Sequence, residues 1–306
     1  MDRGEVESEL GAAESTEMGA SAGGKNWKLT LAYDGTDYHG WQVQQGLPTI
    51  QGELQAALGR VTGESPLPQG SGRTDAGVHA LGQVASFGLQ AGIPAENLMR
   101  ALNRTLPAAI RVLETRVVAG DFHARHSTVA KTYEYRMYLE RPGRETRDEG
   151  ADERRVCPPF LARYVYAYPW PLDLGELQRA AELFRGTHDF LSFAATDPDE
   201  AARGGEAARE GMVDEELEPV SAMRTIFGSR WERREIDEGT LLVYQVRGDG
   251  FLHHMVRNLV GTMLDVGRGY RRAEEIPAMI AVRARSAAGP TAPARGLFLH
   301  SVEYRQ

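Results

Sequence analysis

Eleven consecutive residues, Gly70-Ser71-Gly72-Arg73-Thr74-Asp75-Ala76-Gly77-Val78-His79-Ala80, set a carboxylate, a guanidinium, a hydroxyl and an imidazole among three glycines. Glycine admits positive φ and close backbone approach to a ligand, so such a stretch can hold Asp75 in a fixed pose as a nucleophile or a base. The same composition describes an ordinary turn in which an aspartate bonds its own backbone. The residues alone leave both readings open. A phosphate-cradling loop is the weaker reading, since neither GxxxxGKS/T nor GxGxxG is present.

A loop of this kind needs rigid elements on either side. Residues 27–34 alternate Trp27, Leu29, Leu31 and Tyr33 against Lys28, Thr30, Ala32 and Asp34, which predicts a strand with one buried face. From Thr49 to Gly63 the apolar Ile50, Leu54, Ala57, Leu58 and Val61 fall at helical spacing, with Thr49 as N-cap and Gly63 as stop. A short segment at 67–72, the glycine-rich stretch, a strand over 82–89, a helix opened by Pro94 and a strand over 110–118 follow. That order is β-α-β-β-α-β, a ferredoxin-like plan.

The rest of the chain predicts the same order with longer inserts. A strand over 131–140 carries Tyr133, Tyr135, Met137 and Leu139 on one face, and a charged loop covers 141–155. A helix over 173–186, strands over 220–235 and 240–248, and a helix at about 251–267 with Phe251, Met255, Leu259 and Met263 every fourth residue come next. A short helix near 273–283 and a strand over 297–304 complete the pattern. The expected fold class is α+β: two ferredoxin-like halves with antiparallel sheets and a central active-site cleft. The expected domains are an acidic, disordered tail over 1–24, an N-terminal half over 25–122 with the Asp75 loop, and a C-terminal half over 123–306 with an acidic insert at about 197–218.

Composition narrows the chemistry. A single cysteine, Cys157, excludes an intrachain disulfide and any multi-cysteine zinc or iron–sulfur site, and suits a reducing, cytoplasmic compartment. No run of about 18 apolar residues is present to cross a bilayer. The first 24 residues hold six acids against Arg3 and lack the apolar centre of a secretory signal. The net charge of −8 by itself disfavours a nucleic-acid partner, but nine of the acids lie in 197–218, and with the tail set aside as well the remaining chain is net basic.

The stretch GRTDAGVHALGQV is similar to the signature of the tRNA pseudouridine synthases of the TruA type. Four further blocks resemble that family in the same order: YDGTDYHGWQVQ with TIQGELQAAL, FHARHSTVAKTYEYRMY, FLHHMVRNLVGTMLDVG, and TAPARGLFLHSVEY. The resemblance spans residues 27–304. It implies isomerisation of uridine to pseudouridine in the anticodon stem-loop of tRNAs, with no cofactor and no metal, on a homodimer. Asp75 matches the family's catalytic carboxylate, Tyr133 its active-site tyrosine and Arg257 the basic residue near that carboxylate. Arg73 would pair with Asp75 and keep it ionised, or contact phosphate. Tyr133 would stack on an extruded uracil, although its strand face alone reads as core. Arg125 and Lys131, with Arg100 and Arg104, would hold the flanking RNA backbone.

His253 and His254 raise the question of a metal, but adjacent helix residues point about 100° apart and the spacing of HExxH is absent, so packing or RNA contact is expected. His79, His123 and His126 have no assigned role. Two other readings compete with an isomerase. An RNA-binding protein or RNA chaperone on the same fold would need a basic cleft but not Asp75. A glycoside hydrolase would need a second acid opposite the first, and none is evident in these blocks.

Overall fold

The computed structural model describes residues 24–140, 155–195 and 221–305. The expected acidic tail, apart from residue 24, the bulk of the charged loop and the insert at 197–218 lie outside the described residues. The chain enters as β1 (Lys25–Tyr33), where alternation places Trp27, Leu29, Leu31 and Tyr33 in the core. It continues as α1 (Ile50–Thr62), which starts where Thr49 Oγ1 accepts the Gly52 N–H and stops where Gly63 takes φ 77°. Then come β2 (Gln69–Gly70), β3 (His79–Leu89), α2 (Ala95–Thr105) and β4 (Ile110–Val118). After these follow β5 (Thr128–Leu139), α3 (Pro159–Ala162), β6 (Tyr166–Tyr168), α4 (Leu174–Leu183) and β7 (Gly186–Asp189). The order closes with β8 (Met223–Ile236), β9 (Gly239–Gly248), α5 (Met255–Gly267), α6 (Ile276–Ala281) and β10 (Leu297–Tyr304).

The expected antiparallel sheets are one ten-stranded sheet in the order β4-β1-β3-β10-β5-β9-β8-β7, with β2 on β3 and β6 on β5. It is mostly antiparallel; the exceptions are β10 on β3 and β6 on β5. β10 makes the sheet continuous. Its Phe298 and Leu299 pair with His79 and Ala80 on one side, and with Glu134 and Tyr133 on the other. The start of β3, just after the Asp75 loop, therefore lies two strand spacings from Tyr133, on the order of 10 Å.

Two element bounds differ in ways that bear on the site. β3 begins at His79 rather than 82, because Ala80 already pairs with Tyr33 of β1 and His79 with Phe298 of β10. The predicted helix from about 251 starts only at Met255, because His254 adopts φ 57°, a left-handed conformation that a helix cannot include. The pieces α3, β6 and β7, three or four residues each, are too short to show a period.

The helix α5 buries most of its side chains and also makes close backbone contact on one face. A Cβ on Gly261 would stand 1.6 Å from the Pro290 carbonyl oxygen, and one on Gly289 would stand 2.7 Å from Thr262 Cα. The approach is sealed by the Gly289 N–H donating to Thr262 Oγ1 at 2.8 Å and the Ala292 N–H donating to the Arg257 carbonyl at 3.1 Å. Buried Asn258 adds three bonds: its Nδ2 donates to the Phe193 carbonyl (2.7 Å), and its Oδ1 accepts from Arg285 Nη2 (3.1 Å) and Thr291 Oγ1 (2.7 Å). Gly261→Ala forces these backbones apart and should cost about 3 kcal/mol. Urea unfolding checks this as a lower midpoint at unchanged slope.

Candidate active site

The Asp75 loop runs from β2 to the first residue of β3, and both flanks are pinned. The Ser71 N–H donates to the Val84 carbonyl at 2.8 Å, Ser71 Oγ donates to Gln83 Oε1 at 2.7 Å, and Gln83 Nε2 donates to the Gly72 carbonyl at 2.9 Å. Thr74 shares a 2.8 Å hydroxyl bond with Tyr33, and its carbonyl accepts the Trp41 N–H at 3.0 Å. The Val78 N–H donates to the Asp75 carbonyl at 3.1 Å. The turn thus uses the Asp75 backbone and leaves its carboxylate for other partners, which reconciles the two readings left open by the sequence.

The block DGTDYHGW forms the back wall of the loop. Gly40 has φ 84°, and a Cβ there would lie 2.4 Å from the Thr74 carbonyl oxygen; a Cβ on Gly35 would lie 1.9 Å from that of Val78. The sequence marks this block only through its family resemblance. Its signal was the pair of glycines flanking aromatic and polar residues.

The carboxylate of Asp75 meets the N-terminal end of α5. Arg257, in the helix's first turn, places Nη1 3.0 Å from Asp75 Oδ2, while its Nε donates to the Ala292 carbonyl at 2.8 Å. The two side chains are only 16% and 15% exposed, so the pair is partly desolvated. His254 Nε2 lies 3.3 Å from Oδ2, and His253 Nε2 lies 3.6 Å from Oδ1. The two imidazoles pack with centroids 4.0 Å apart. The expectation that these histidines diverge is corrected here: they precede the helix, and the left-handed turn at His254 brings both rings to one carboxylate. Their ligating atoms and that of Asp75 all lie within 4.8 Å, yet the guanidinium already on Oδ2 opposes a metal cation. Burial holds the His254 imidazole below its ordinary value; Asp75 acts in the opposite direction, and His253, Arg257 and Arg285 add to the lowering.

Tyr133, on β5 between Leu299 and Val246, is buried and turns its ring edge-on to Phe251 at 5.1 Å. Burial, then the charges of Tyr33 and Asp75, raise its hydroxyl far above the ordinary phenol value, so the proton stays on oxygen. The residue is core, with the Asp75 carboxylate near enough to act on its hydroxyl. Lys131, two residues earlier, donates from Nζ to the Ser71 carbonyl at 2.6 Å, which ties β5 to the Asp75 loop. Its ammonium is lowered to about 8, first by burial and then by Arg125 and Arg224. Arg224 on β8 was not singled out from sequence, because a basic residue beside an acidic run carries no motif.

The other predicted residues spread outward. Arg73 and Arg125 are exposed, the former on the loop and the latter in the turn before β5. Arg257 brings a guanidinium to Asp75. Arg100 and Arg104 are exposed on α2, with Arg100 paired to Glu96 at 3.5 Å. His79 is structural: its Nδ1 accepts the Gly35 N–H at 3.1 Å, so its Nε2 carries the proton and faces the Arg163 and Arg295 carbonyls, each at 3.2 Å. His123 organises its own turn, where its Nδ1 accepts the N–H groups of Arg125 and His126.

The family described as tRNA pseudouridine synthase matches residues 30–127 and 180–305. The chain is 48% identical over 277 residues to tRNA pseudouridine synthase A of Solibacter usitatus, covering 90% of this chain and 98% of that protein. It is 43% identical over 279 residues to tRNA pseudouridine synthase A of Moorella thermoacetica, with the same coverage. With tRNA pseudouridine synthase A 1 of Desulfotalea psychrophila it shares 40% identity over 280 residues, 92% of this chain and all of that one. The Asp75 loop and the first turn of α5 fall within the family match while the Tyr133 strand lies in the stretch between its two parts, and the chain belongs to the tRNA pseudouridine synthase family.

Proposed function

We propose that the protein isomerises uridine to pseudouridine in the anticodon stem-loop of tRNAs, with Asp75 acting on a uridine turned out of its stack. The observation that carries this reading is the Asp75 carboxylate, partly buried and balanced by Arg257 at 3.0 Å, on a loop whose backbone is fixed independently. The Arg257 guanidinium compensates the charge of a carboxylate placed for nucleophilic or basic work. A binding protein has no use for a half-dry carboxylate, which repels RNA phosphate.

The reaction conserves every atom. As nucleophile, Asp75 forms a C–O bond to C1′ while the N1–C1′ pair leaves with uracil; the turned base then attacks C1′ through C5, and the C1′–O bond breaks with its pair returning to the carboxylate. As base, Asp75 removes a sugar proton as uracil leaves and gives it back. In both routes C5 loses a proton and N1 gains one. Tyr133 offers its ring to the extruded base, and Arg257 steadies the carboxylate. Arg73, Arg125 and Lys131 hold the phosphates on either side.

The same reading includes a homodimer working in the cytoplasm and a duplicated fold whose halves are 25–122 and 123–306. The strand neighbours support the duplication, since β4-β1-β3-β2 and β10-β5-β9-β8 follow one order. Among the described residues no helix is long and apolar enough to cross a membrane.

Carbodiimide mapping of unmodified tRNA transcripts tests the reaction. Wild type should form anticodon-arm pseudouridine, and Asp75→Asn should lose about a thousandfold or more of that activity while still binding tRNA. Binding without pseudouridine by wild type would favour the RNA-binding alternative. Lys131→Met should lower the salt slope of log K for tRNA by about 1. Wild-type affinity should weaken as pH rises through about 8, where Lys131 loses its charge, and the variant should lack that step. Because the folded value is depressed, this group's contribution to stability moves the other way, improving from about pH 8 towards 10.5.

A further inference from the structure

His254 is one of two described non-glycine residues with positive φ, at 57°. An L-residue there stores on the order of 1 kcal/mol of strain, and surrounding contacts must hold it. Its ring does not cap α5: no side-chain bond to the helix N-terminus is made. The ring is directed instead at Asp75, with Nε2 3.3 Å from Oδ2. Arg257 Nη1 approaches the same oxygen at 3.0 Å, so both contacts hold one side of the carboxylate. Oδ1 has His253 Nε2 at 3.6 Å.

We propose that His254 is a positioning residue for the isomerisation: its neutral imidazole holds Asp75 Oδ2 through the Nε2–H, and its protonation clamps the carboxylate and stops turnover. The inference rests on the reading of Asp75 as the reacting group. Around His254 stand one negative group, Asp75 from the loop, and three basic ones: His253 beside it, Arg257 from α5 and Arg285 from the turn at 285–287. Burial and the three basic groups together outweigh Asp75, which leaves the imidazole neutral near pH 7. As an imidazolium it would add a second full positive charge to an oxygen already facing Arg257. A carboxylate with two cationic partners gives up its lone pairs less readily, so the rate falls while RNA binding, made elsewhere, does not.

The test is single-turnover pseudouridine formation from pH 5 to 8, with tRNA affinity measured in parallel. Wild type should lose about tenfold per pH unit below a midpoint lying under the ordinary imidazole value of about 6.5. H254Q, which keeps an N–H at similar reach but does not titrate, should lack this acid limb and run about tenfold slower at pH 7.5, with KM within about twofold of wild type. H254N suits the left-handed backbone but is too short to reach Oδ2, and should be slower than H254Q. An acid limb retained in H254Q at the wild-type midpoint overturns the inference, as do wild-type rates in both variants. The imidazole titration of His254 by NMR gives a readout free of turnover: Asp75→Asn removes the charge that favours the imidazolium, so the midpoint should fall, and an unchanged midpoint overturns the inference. An active wild type with an uncoupled His254 sinks this inference alone. A wild type that binds tRNA and forms no pseudouridine sinks the reading of Asp75, and this inference with it.

Discussion

The contact between Asp75 and Arg257 sets the terms for the rest of the molecule. A carboxylate that is mostly withdrawn from water must be balanced nearby, and here the balancing charge comes from a residue 182 positions later. Bringing the two to 3.0 Å requires the N-terminus of α5 to be fixed against a loop on the other side of the sheet's junction. The Gly261–Pro290 approach, the Asn258 bonds and the Ala292 carbonyl on Arg257 Nε do that work. None of these residues except Arg257 touches Asp75, yet each limits where its counter-charge can stand.

The site is electrostatically two-sided. On one side a carboxylate, a guanidinium and two imidazoles form a compact, nearly balanced group. On the other, Lys131, Arg125 and Arg224 lie close enough to depress the lysine, with Asp249 near only Arg224 among them. Such a like-charged cluster is unfavourable in the free protein and is relieved by an anion. That division gives a net-acidic chain a local basic face beside its charge-balanced carboxylate.

Much of this was legible in the sequence where local rules govern. The alternation of Trp27, Leu29, Leu31 and Tyr33, the Thr49 and Gly63 caps and the strand at 297–304 all depend on near neighbours, and they match the structure. Asp75, Tyr133 and Arg257 were recognisable through ordered motif blocks, although periodicity alone assigned Tyr133 to the core, where it also belongs. What escaped was set by distant contacts. The left-handed turn at His254, which brings two histidines to one carboxylate, follows from packing around the site; helical periodicity ran straight through it. The single sheet escaped for the same reason, since the pairing of β10 with both β3 and β5 is visible only when the chain is folded.

The central position of β10 has a consequence for the order of events during synthesis. The strand that joins the sheet is translated after every other described element, and its two neighbours, β3 and β5, are made earlier. Until Leu297–Tyr304 leaves the ribosome, those neighbours have unsatisfied edges in the middle of a future sheet, the kind of surface on which nascent chains pair wrongly. The spacing between Asp75 and Tyr133 is likewise undefined until then. Activity therefore waits for β10 to emerge, and a chain truncated before residue 297 should be both inert and prone to aggregate.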